Sequence, residues 1–211
     1  MVPPDDPDSA QAFDITLNSP QDITKGPGGK LWTASDDQLV SFKPSNPLGF
    51  KSTTIDGMVG ARGIDALGNT LWIADFGGGR IFSSTPSGNA QKYKVGGGPQ
   101  QVAAGPDDTI AYGNPGTDPQ TVGRITEGGN PKKTKDPLSD PFGMAFAHDK
   151  NWWIAEFAKS QLGMLSEKGD LKQFKDLPDN SGPRYLTLGP NGTIWVSLEQ
   201  SQKVARIKGV S

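Results

Sequence analysis

Short stretches of alternating apolar and polar residues recur along the chain at a nearly constant spacing. In the clearest copy, Pro183 opens one extended run, a Gly-Pro-Asn-Gly turn follows at 189–192, and a second run contains Trp195. Alternation with a period of two is typical of strands, and clusters of Gly, Pro and Asn are typical of turns. The positions equivalent to Trp195 are Trp32, Trp72, Ala111 and Trp153, with successive spacings of 40, 39, 42 and 42 residues. A period of this size predicts a repeat fold.

The first four copies each contain four predicted strands. These lie at 21–25, 31–35, 38–43 and 50–55; at 62–66, 70–75, 79–84 and 90–95; at 100–104, 109–113, 121–125 and 131–135; and at 142–147, 151–156, 161–165 and 171–175. The fifth copy has only three, at 184–188, 193–197 and 203–208. One additional strand, at 11–18, precedes the first copy and has the alternating pattern of an outer strand.

The strand count predicts an all-β fold, a five-bladed β-propeller with four antiparallel strands per blade. If the strand at 11–18 completes the last sheet, the five sheets close into a ring, which removes the exposed edges that a linear array of sheets would leave. An irregular β-sandwich is the alternative, but it gives no reason for the period. We expect a flexible leader at 1–10 and one domain at 11–211, with blades at about 19–57, 58–97, 98–140, 141–181 and 182–211.

Charge and composition narrow the range of partners. The formal net charge of −2 gives no electrostatic reason to expect binding to nucleic acid or to a membrane. There is no cysteine, which excludes disulfides and thiolate chemistry. We therefore expect a monomer whose partner is a small molecule, a peptide or a glycan. The Pro-rich, acidic start favours an extracytoplasmic or secreted protein after signal removal, and a cytoplasmic protein is the alternative.

Three copies of the repeat carry a family resemblance. They are Gly28-Gly-Lys-Leu-Trp-Thr-Ala34, Asn69-Thr-Leu-Trp-Ile-Ala-Asp75 and Gly189-Pro-Asn-Gly-Thr-Ile-Trp195. The pattern resembles the repeats of streptogramin (virginiamycin B) lyase and, more broadly, those of NHL and gluconolactonase-like propellers, over about residues 19–211. The resemblance implies a propeller, usually with six or seven blades. It also implies lactone opening by two histidines and a glutamate near Mg²⁺, or, for the gluconolactonase-like members, a divalent metal held by Glu, Asn and Asp.

The tryptophans have a structural explanation. Trp32, Trp72, Trp153 and Trp195 are predicted to fill the wedges between neighbouring sheets, since both faces of a blade are buried. Trp152 is predicted to face the blade on the other side from Trp153. In the third copy, Tyr112 is expected to occupy part of the space left by Ala111.

Two sets of positions are predicted to meet at one mouth of the central channel. The first-strand positions follow the repeat Pro by one residue; they are Gln21, Arg62, Gln100, Phe142 and Arg184. The second-strand positions follow the Trp by three residues; they are Ser35, Asp75, Asn114, Glu156 and Leu198. Concave mouths with a few convergent polar groups are typical small-molecule sites.

These side chains allow three interpretations. The arginines, with Gln21, Gln100, Phe142, Ser35 and Asn114 around them, could bind an anion or another small molecule. Asp75, Asn114 and Glu156 could instead supply oxygen ligands to Ca²⁺ or Mg²⁺. In the third interpretation the charges simply pair, Arg62 with Asp75 and Arg184 with Glu156.

The single histidine bears on catalysis. His148 falls in a predicted surface turn on the face opposite the mouth, so the pair of histidines implied by the resemblance is missing. Glu156 is then the candidate catalytic base. Two functions remain: a non-catalytic propeller that binds a small molecule, peptide or glycan at the mouth, which we favour, and a metal-assisted lyase or lactonase. The run Lys132-Lys133-Thr134-Lys135 is predicted to be the solvated face of an outer strand.

Overall fold

The computed structural model describes residue 15 and residues 17–208, and nearly all of the regular structure in them is β-strand. Blade 1 contains β1 (Ile23–Gly26), β2 (Lys30–Ser35), β3 (Gln38–Lys43) and β4 (Asn46–Thr54). Blade 2 contains β5 (Ala61–Leu67), β6 (Thr70–Asp75), β7 (Arg80–Ser84) and β8 (Ala90–Lys94). Blade 3 contains β9 (Gln101–Ala104), β10 (Thr109–Asn114), β11 (Thr121–Thr126) and β12 (Lys132–Lys133). Blade 4 contains β13 (Pro141–Phe146), β14 (Asn151–Glu156), β15 (Gln161–Ser166) and β16 (Leu171–Phe174).

Blade 5 contains β17 (Pro183–Gly189), β18 (Thr193–Leu198) and β19 (Lys203–Ile207). Every strand predicted from residue 21 onward therefore has a counterpart. Two short 3₁₀ turns, Pro27–Gly29 and Pro190–Gly192, connect the first and second strands of blades 1 and 5. Asn191 and Gly192 have φ values of 58° and 63°, the left-handed conformation that Asn and Gly tolerate best.

Each blade is an antiparallel meander whose strands pair in chain order. The first strands of all five blades border one central cavity of about 620 Å³. This arrangement is a five-bladed β-propeller, as the strand count predicted. The predicted strand 11–18 and the leader 1–10 lie mostly or wholly outside the described residues, so blade 5 is described by three strands.

The core is divided among the spaces between successive blades. One buried cluster joins blades 1 and 2, a second joins blades 2 and 3, a third joins blades 3 and 4, and a fourth joins blades 4 and 5. No equivalent cluster joins blade 5 to blade 1 within residues 17–208. The apolar stabilisation of the described part therefore comes from four packed seams.

The burial of each tryptophan depends on whether it lies in one of these four seams. Trp32, Trp72 and Trp153 are buried as predicted, and Trp152 is fully buried in the seam between blades 3 and 4. Tyr112 is fully buried in the seam between blades 2 and 3. The prediction for Trp195 was wrong, because 38% of its surface is exposed. It lies in blade 5, beyond the last of the four packed seams.

The outer strand of blade 3 is shorter than predicted. Instead of 131–135 it comprises only Lys132–Lys133. Pro131 precedes it and lacks the N–H that would extend the ladder. After it, Thr134 still donates its N–H to the Val122 carbonyl at 2.9 Å, but the chain then leaves the sheet. No helix among the described residues is long and apolar enough to cross a membrane.

Candidate binding site at the channel mouth

The structure brings the five first-strand positions together at one end of the channel. Gln21, Arg62, Gln100, Phe142 and Arg184 border a narrow cavity of about 40 Å³, which Asp22, Gln101 and Tyr185 also border. The large channel cavity shares Asp22 and Gln101 with it. The mouth thus opens toward the interior of the propeller.

A repeated irregularity lies under this mouth. The pairing of the first and second strands shifts register between Ala61 and Ile64, between Pro141 and Met144, and between Pro183 and Leu186. A bulge places an additional residue on one strand and re-aims its side chains. The first-strand positions of blades 2, 4 and 5 lie within these bulges, so the backbone itself sets their direction.

Arg62 is held by a ring and by an amide. Its guanidinium carbon lies 3.5 Å from the centre of the Phe76 ring, and its Nη1 donates a hydrogen bond to Gln100 Oε1 at 2.8 Å. Stacking on an aromatic face is a favoured arrangement of guanidinium groups. The guanidinium of Arg62 is therefore held in place by two groups that carry no negative charge.

Arg184 is held in a similar way on the opposite side of the mouth. Its guanidinium carbon lies 3.9 Å from the Phe142 ring centre and 5.4 Å from that of Phe157. The two rings contact each other edge to face, with centres 5.9 Å apart. Arg184 Nε also lies 3.5 Å from Glu199 Oε2, and Glu199 is mostly exposed.

The charge pairs predicted at the mouth do not form. Arg62 does not pair with Asp75, and Arg184 pairs with Glu199 rather than Glu156. Within residues 17–208, no carboxylate lies within ion-pair distance of Arg62. The reason is that Asp75 and Glu156 are turned inward, away from the mouth.

Two glycines let neighbouring blades approach closely at the mouth. A Cβ built on Gly63 would lie 2.7 Å from Gln101 Cα, and one on Gly143 would lie 2.6 Å from Tyr185 Cα. Each glycine directly follows a first-strand position. The spacing between Arg62 and Gln100, and between Phe142 and Arg184, therefore depends on the absence of a side chain at these glycines.

Two carboxylates inside the channel link the first strands. Asp22 Oδ2 accepts from the Ile64 N–H at 3.0 Å and from Gln101 Nε2 at 2.9 Å. Asp65 accepts from Thr24 Oγ1 at 3.0 Å and from the Ala104 N–H at 2.8 Å. Asp22 thus connects blade 1 to blades 2 and 3, and Asp65 connects blade 2 to blades 1 and 3.

Burial raises the pKa of Asp22 above its ordinary value, and the nearby charge of Asp65 adds to the increase. The hydrogen bonds from Ile64, Gln101 and Ile23 act in the opposite direction. Among the described acids that border the channel, Asp22 is the one at its junction with the mouth.

The second-strand positions lie inside the blades and not at the mouth. The side chains of Ser35, Asp75, Asn114, Glu156 and Leu198 are all buried. Asp75 Oδ1 accepts from the N–H groups of Val59 and Gly60, at 3.0 and 2.9 Å, and Asn114 Nδ2 donates to the Gly96 carbonyl at 2.8 Å. Ser35 Oγ donates to the Asn18 carbonyl. The polar members of this set fasten the segment that leads into their own blade.

Among the three predicted metal ligands, Glu156 is already surrounded by hydrogen-bond donors. Glu156 Oε2 accepts from the Ser139 N–H at 3.0 Å, from Gln161 Nε2 at 2.9 Å and from Gln173 Nε2 at 2.8 Å. Its other oxygen accepts from Gln173 at 3.1 Å. Donors thus occupy both oxygens of Glu156, whereas Asp75 Oδ2 and Asn114 Oδ1 are buried without a hydrogen-bond donor among the described residues. The described residues also contain no group of three or more His, Cys, Asp or Glu arranged to hold a metal.

Burial raises the pKa of Glu156 above its ordinary value of 4.5, although its hydrogen bonds and Lys159 oppose the increase. A carboxyl with a raised pKa binds its proton more tightly in the folded than in the unfolded state. Its contribution to the free energy of unfolding is therefore greatest at low pH. That contribution falls as pH rises from 4.5 through the raised folded value.

We expect this decline to be absent in Glu156→Gln. The difference in free energy of unfolding, wild type minus variant, should decrease as pH rises above 4.5, the ordinary pKa of a glutamate. Urea unfolding at successive pH values measures this difference. Glu167→Gln, in an exposed turn, is the control for the removal of one carboxylate from the chain. A difference for Glu156→Gln that does not change with pH would contradict the assignment.

The only histidine lies away from the mouth. His148 is exposed in the turn that follows β13, at the end of that strand opposite Phe142. Its placement agrees with the predicted surface turn.

The sequence profile of the virginiamycin B lyase family matches residues 53–210. The chain belongs to this family. Its fold is similar to that of a catalytically inactive histidine-to-alanine variant of virginiamycin B lyase from Staphylococcus aureus, solved with quinupristin. That match has 21% identity and a TM-score of 0.83, and it covers 93% of this chain and 69% of that one.

Other propellers show the same fold. A streptogramin B lyase has 20% identity and a TM-score of 0.71, covering 93% of this chain and 82% of that chain. A gluconolactonase from Xanthomonas campestris has 16% identity and a TM-score of 0.67, covering 90% of this chain and 72% of that chain. At these identities the likeness shows the fold alone. No curated protein is significantly similar in sequence.

Several residues at the site were not predicted from the sequence. Asp22, Gln101 and Tyr185 border the mouth, and each directly follows a first-strand position. Phe76 and Phe157 each directly follow a second-strand position and stack on an arginine. Each of these residues is one position beyond one of the ten predicted positions, so the alignment of the repeats contained this signal.

Proposed function

We propose that the protein is a non-catalytic binding propeller that takes a small organic anion at the mouth of its channel. Arg62 and Arg184 bind the carboxylate or phosphate of the ligand. The Phe142 ring and the exposed Tyr185 supply apolar surface beside them. Gln21 and Gln100 provide amides that donate to or accept from the rest of the ligand.

The observation that carries this proposal is the restraint of two guanidiniums at one cavity. Each is stacked on a phenylalanine ring, at 3.5 Å for Arg62 and 3.9 Å for Arg184. A guanidinium already fixed in place loses little conformational entropy when it binds an anion bidentately. Arg62 has no described carboxylate partner, so an incoming anion does not have to displace one.

Family membership supports a second candidate, an enzyme of the lyase or lactonase type. A histidine-to-alanine change inactivates the staphylococcal relative, whereas the single histidine here is exposed at the opposite end of blade 4. Glu156 is a poor base, because four hydrogen bonds occupy its oxygens. Such an enzyme would use Asp22, the carboxylate where mouth and channel meet. Turnover of a lactone substrate, lost in Asp22→Asn, would favour this candidate over simple binding.

The binding proposal is tested with benzoate and phenyl phosphate as probes, by isothermal titration calorimetry. We expect Arg62→Gln and Arg184→Gln each to weaken binding by about tenfold or more, since a hydrogen bond to a charged group contributes about 1.5–3 kcal/mol. Arg62→Lys should recover only part of the loss, because an ammonium cannot reproduce the planar fork.

Arg206→Gln is the matched control. Arg206 also lies near an aromatic ring, 5.6 Å from the centre of the Trp195 ring, but it is on the outermost described strand of blade 5. Its loss should leave probe affinity unchanged. Equal affinity of all four variants and the wild type would rule out the mouth as the anion site.

A further inference from the structure

A second cavity lies far from the mouth, between the outer edges of blades 3 and 4. Its volume is about 480 Å³, compared with about 620 Å³ for the channel. It is bordered by 123–124 and 132–136 of blade 3 and by Leu165 and 168–171 of blade 4. This outer groove shares no lining residue with the mouth.

The shortness of β12 exposes this groove. The strand ends after two residues, and the chain that follows, 134–136, runs along the side of the space. The buried side chain of Leu165 and the half-buried Leu171 lie beneath it. The groove therefore has an apolar floor with polar walls.

Cations dominate the walls. Five of the lining residues are basic, and two are acidic. The basic residues are Arg124, Lys132, Lys133, Lys135 and Lys168, and the acidic residues are Asp136 and Asp170. The sequence predicted the run at 132–135 to be the solvated face of an outer strand. The fold adds Arg124 from the neighbouring strand and Lys168 from the next blade.

Arg124 is a fixed element of the groove. Its Nη2 donates to the Lys168 carbonyl at 3.0 Å, across the gap between the two blades. A Cβ built on Gly169 would lie 2.5 Å from that Nη2, so the glycine provides the room for the guanidinium. One cation is therefore anchored between the blades, while the lysines beside it are exposed and free to adjust.

We propose that this outer groove binds a small oligoanion that carries two or more phosphate or sulfate groups. Several cations around one cavity favour several negative charges on one ligand, since each lysine or arginine forms charge-assisted hydrogen bonds with phosphate or sulfate oxygens. A single phosphate group would contact only some of these five basic residues. The excess of three positive charges around the groove contrasts with the net charge of −2 of the whole chain.

The test is calorimetric titration of the full chain with tripolyphosphate and, separately, with a sulfated disaccharide. We expect at least one of them to bind, with an affinity that falls as NaCl is raised. The probe that binds identifies the source of the anionic groups. The triple variant Lys132→Gln, Lys133→Gln, Lys168→Gln should weaken that binding by about tenfold or more.

The control variant is Lys51→Gln, Lys94→Gln, Lys175→Gln. It has the same net charge as the test variant, but its changes lie on or next to the outer strands of blades 1, 2 and 4, outside the groove. It should bind almost as well as the wild type. Equal weakening by both variants, or no binding of either probe at low salt, would overturn the proposal. Arg62→Gln should leave this binding unchanged, which separates the groove from the mouth.

Discussion

Replacing Trp152 by alanine is expected to lower the free energy of unfolding by about 3–5 kcal/mol, the range for removal of a large buried aromatic side chain. Trp152 is fully buried between blades 3 and 4, and its Nε1 donates to the Ala103 carbonyl at 3.0 Å. Its ring centre lies 4.9 Å from that of Phe146. A cavity and an unpaired buried carbonyl would remain after its removal.

Trp195→Ala is the matched control for this experiment. Because 38% of the Trp195 surface is already in solvent, its removal should cost less, about 1–2 kcal/mol. Urea unfolding followed by circular dichroism measures both variants. Equal losses for the two tryptophans would contradict the difference in burial between the packed seams and the face of blade 5 that no seam covers within residues 17–208.

Gly143→Ala is expected to lower the free energy of unfolding by about 1–3 kcal/mol and also to weaken anion binding. The new Cβ would lie 2.7 Å from the Arg184 carbonyl and 2.6 Å from Tyr185 Cα. Both contacts are with backbone, so blade 5 must shift away from blade 4. Arg184 would then move away from its platform, the Phe142 ring.

The same unfolding measurement, together with benzoate titration, tests this prediction. The control is Gly77→Ala, whose Cβ would have its nearest neighbours at 3.4 Å, an ordinary contact distance. It should change neither stability nor affinity substantially. A Gly143→Ala variant with wild-type affinity for benzoate would show that the spacing of blades 4 and 5 does not position the mouth.

The fold could be predicted from the sequence because the same strand–turn–strand pattern occurs five times along the chain. A pattern of Pro, turn and Trp at a period near 41 residues places each first and second strand, and turn residues such as Asn191 place the hairpins. The exposure of Trp195 in blade 5 could not be predicted, because its local sequence is similar to those of its buried equivalents. Its exposure depends on what packs against the blade, which no single repeat encodes.

The candidate site could be predicted only in part. The first-strand positions lie at the start of the strands that surround the channel, so their convergence at its mouth follows from the topology. The second-strand positions lie one layer farther out, and the loops between blades cover their side chains. Asp75 and Glu156 therefore bind backbone N–H groups instead of the arginines. The aromatic partners of Arg62 and Arg184 depend on the paths of loops, for which periodicity gives no information.

In the proposed function, Arg62 and Arg184 bind one anion together. The most direct measurement follows the Nε–Hε signals of the chain's five arginines, at 62, 80, 124, 184 and 206, by NMR during titration with benzoate. We expect the Arg62 and Arg184 signals to shift with one shared dissociation constant while the other three remain in place. Shifts confined to the other arginines, or no shifts, would contradict it.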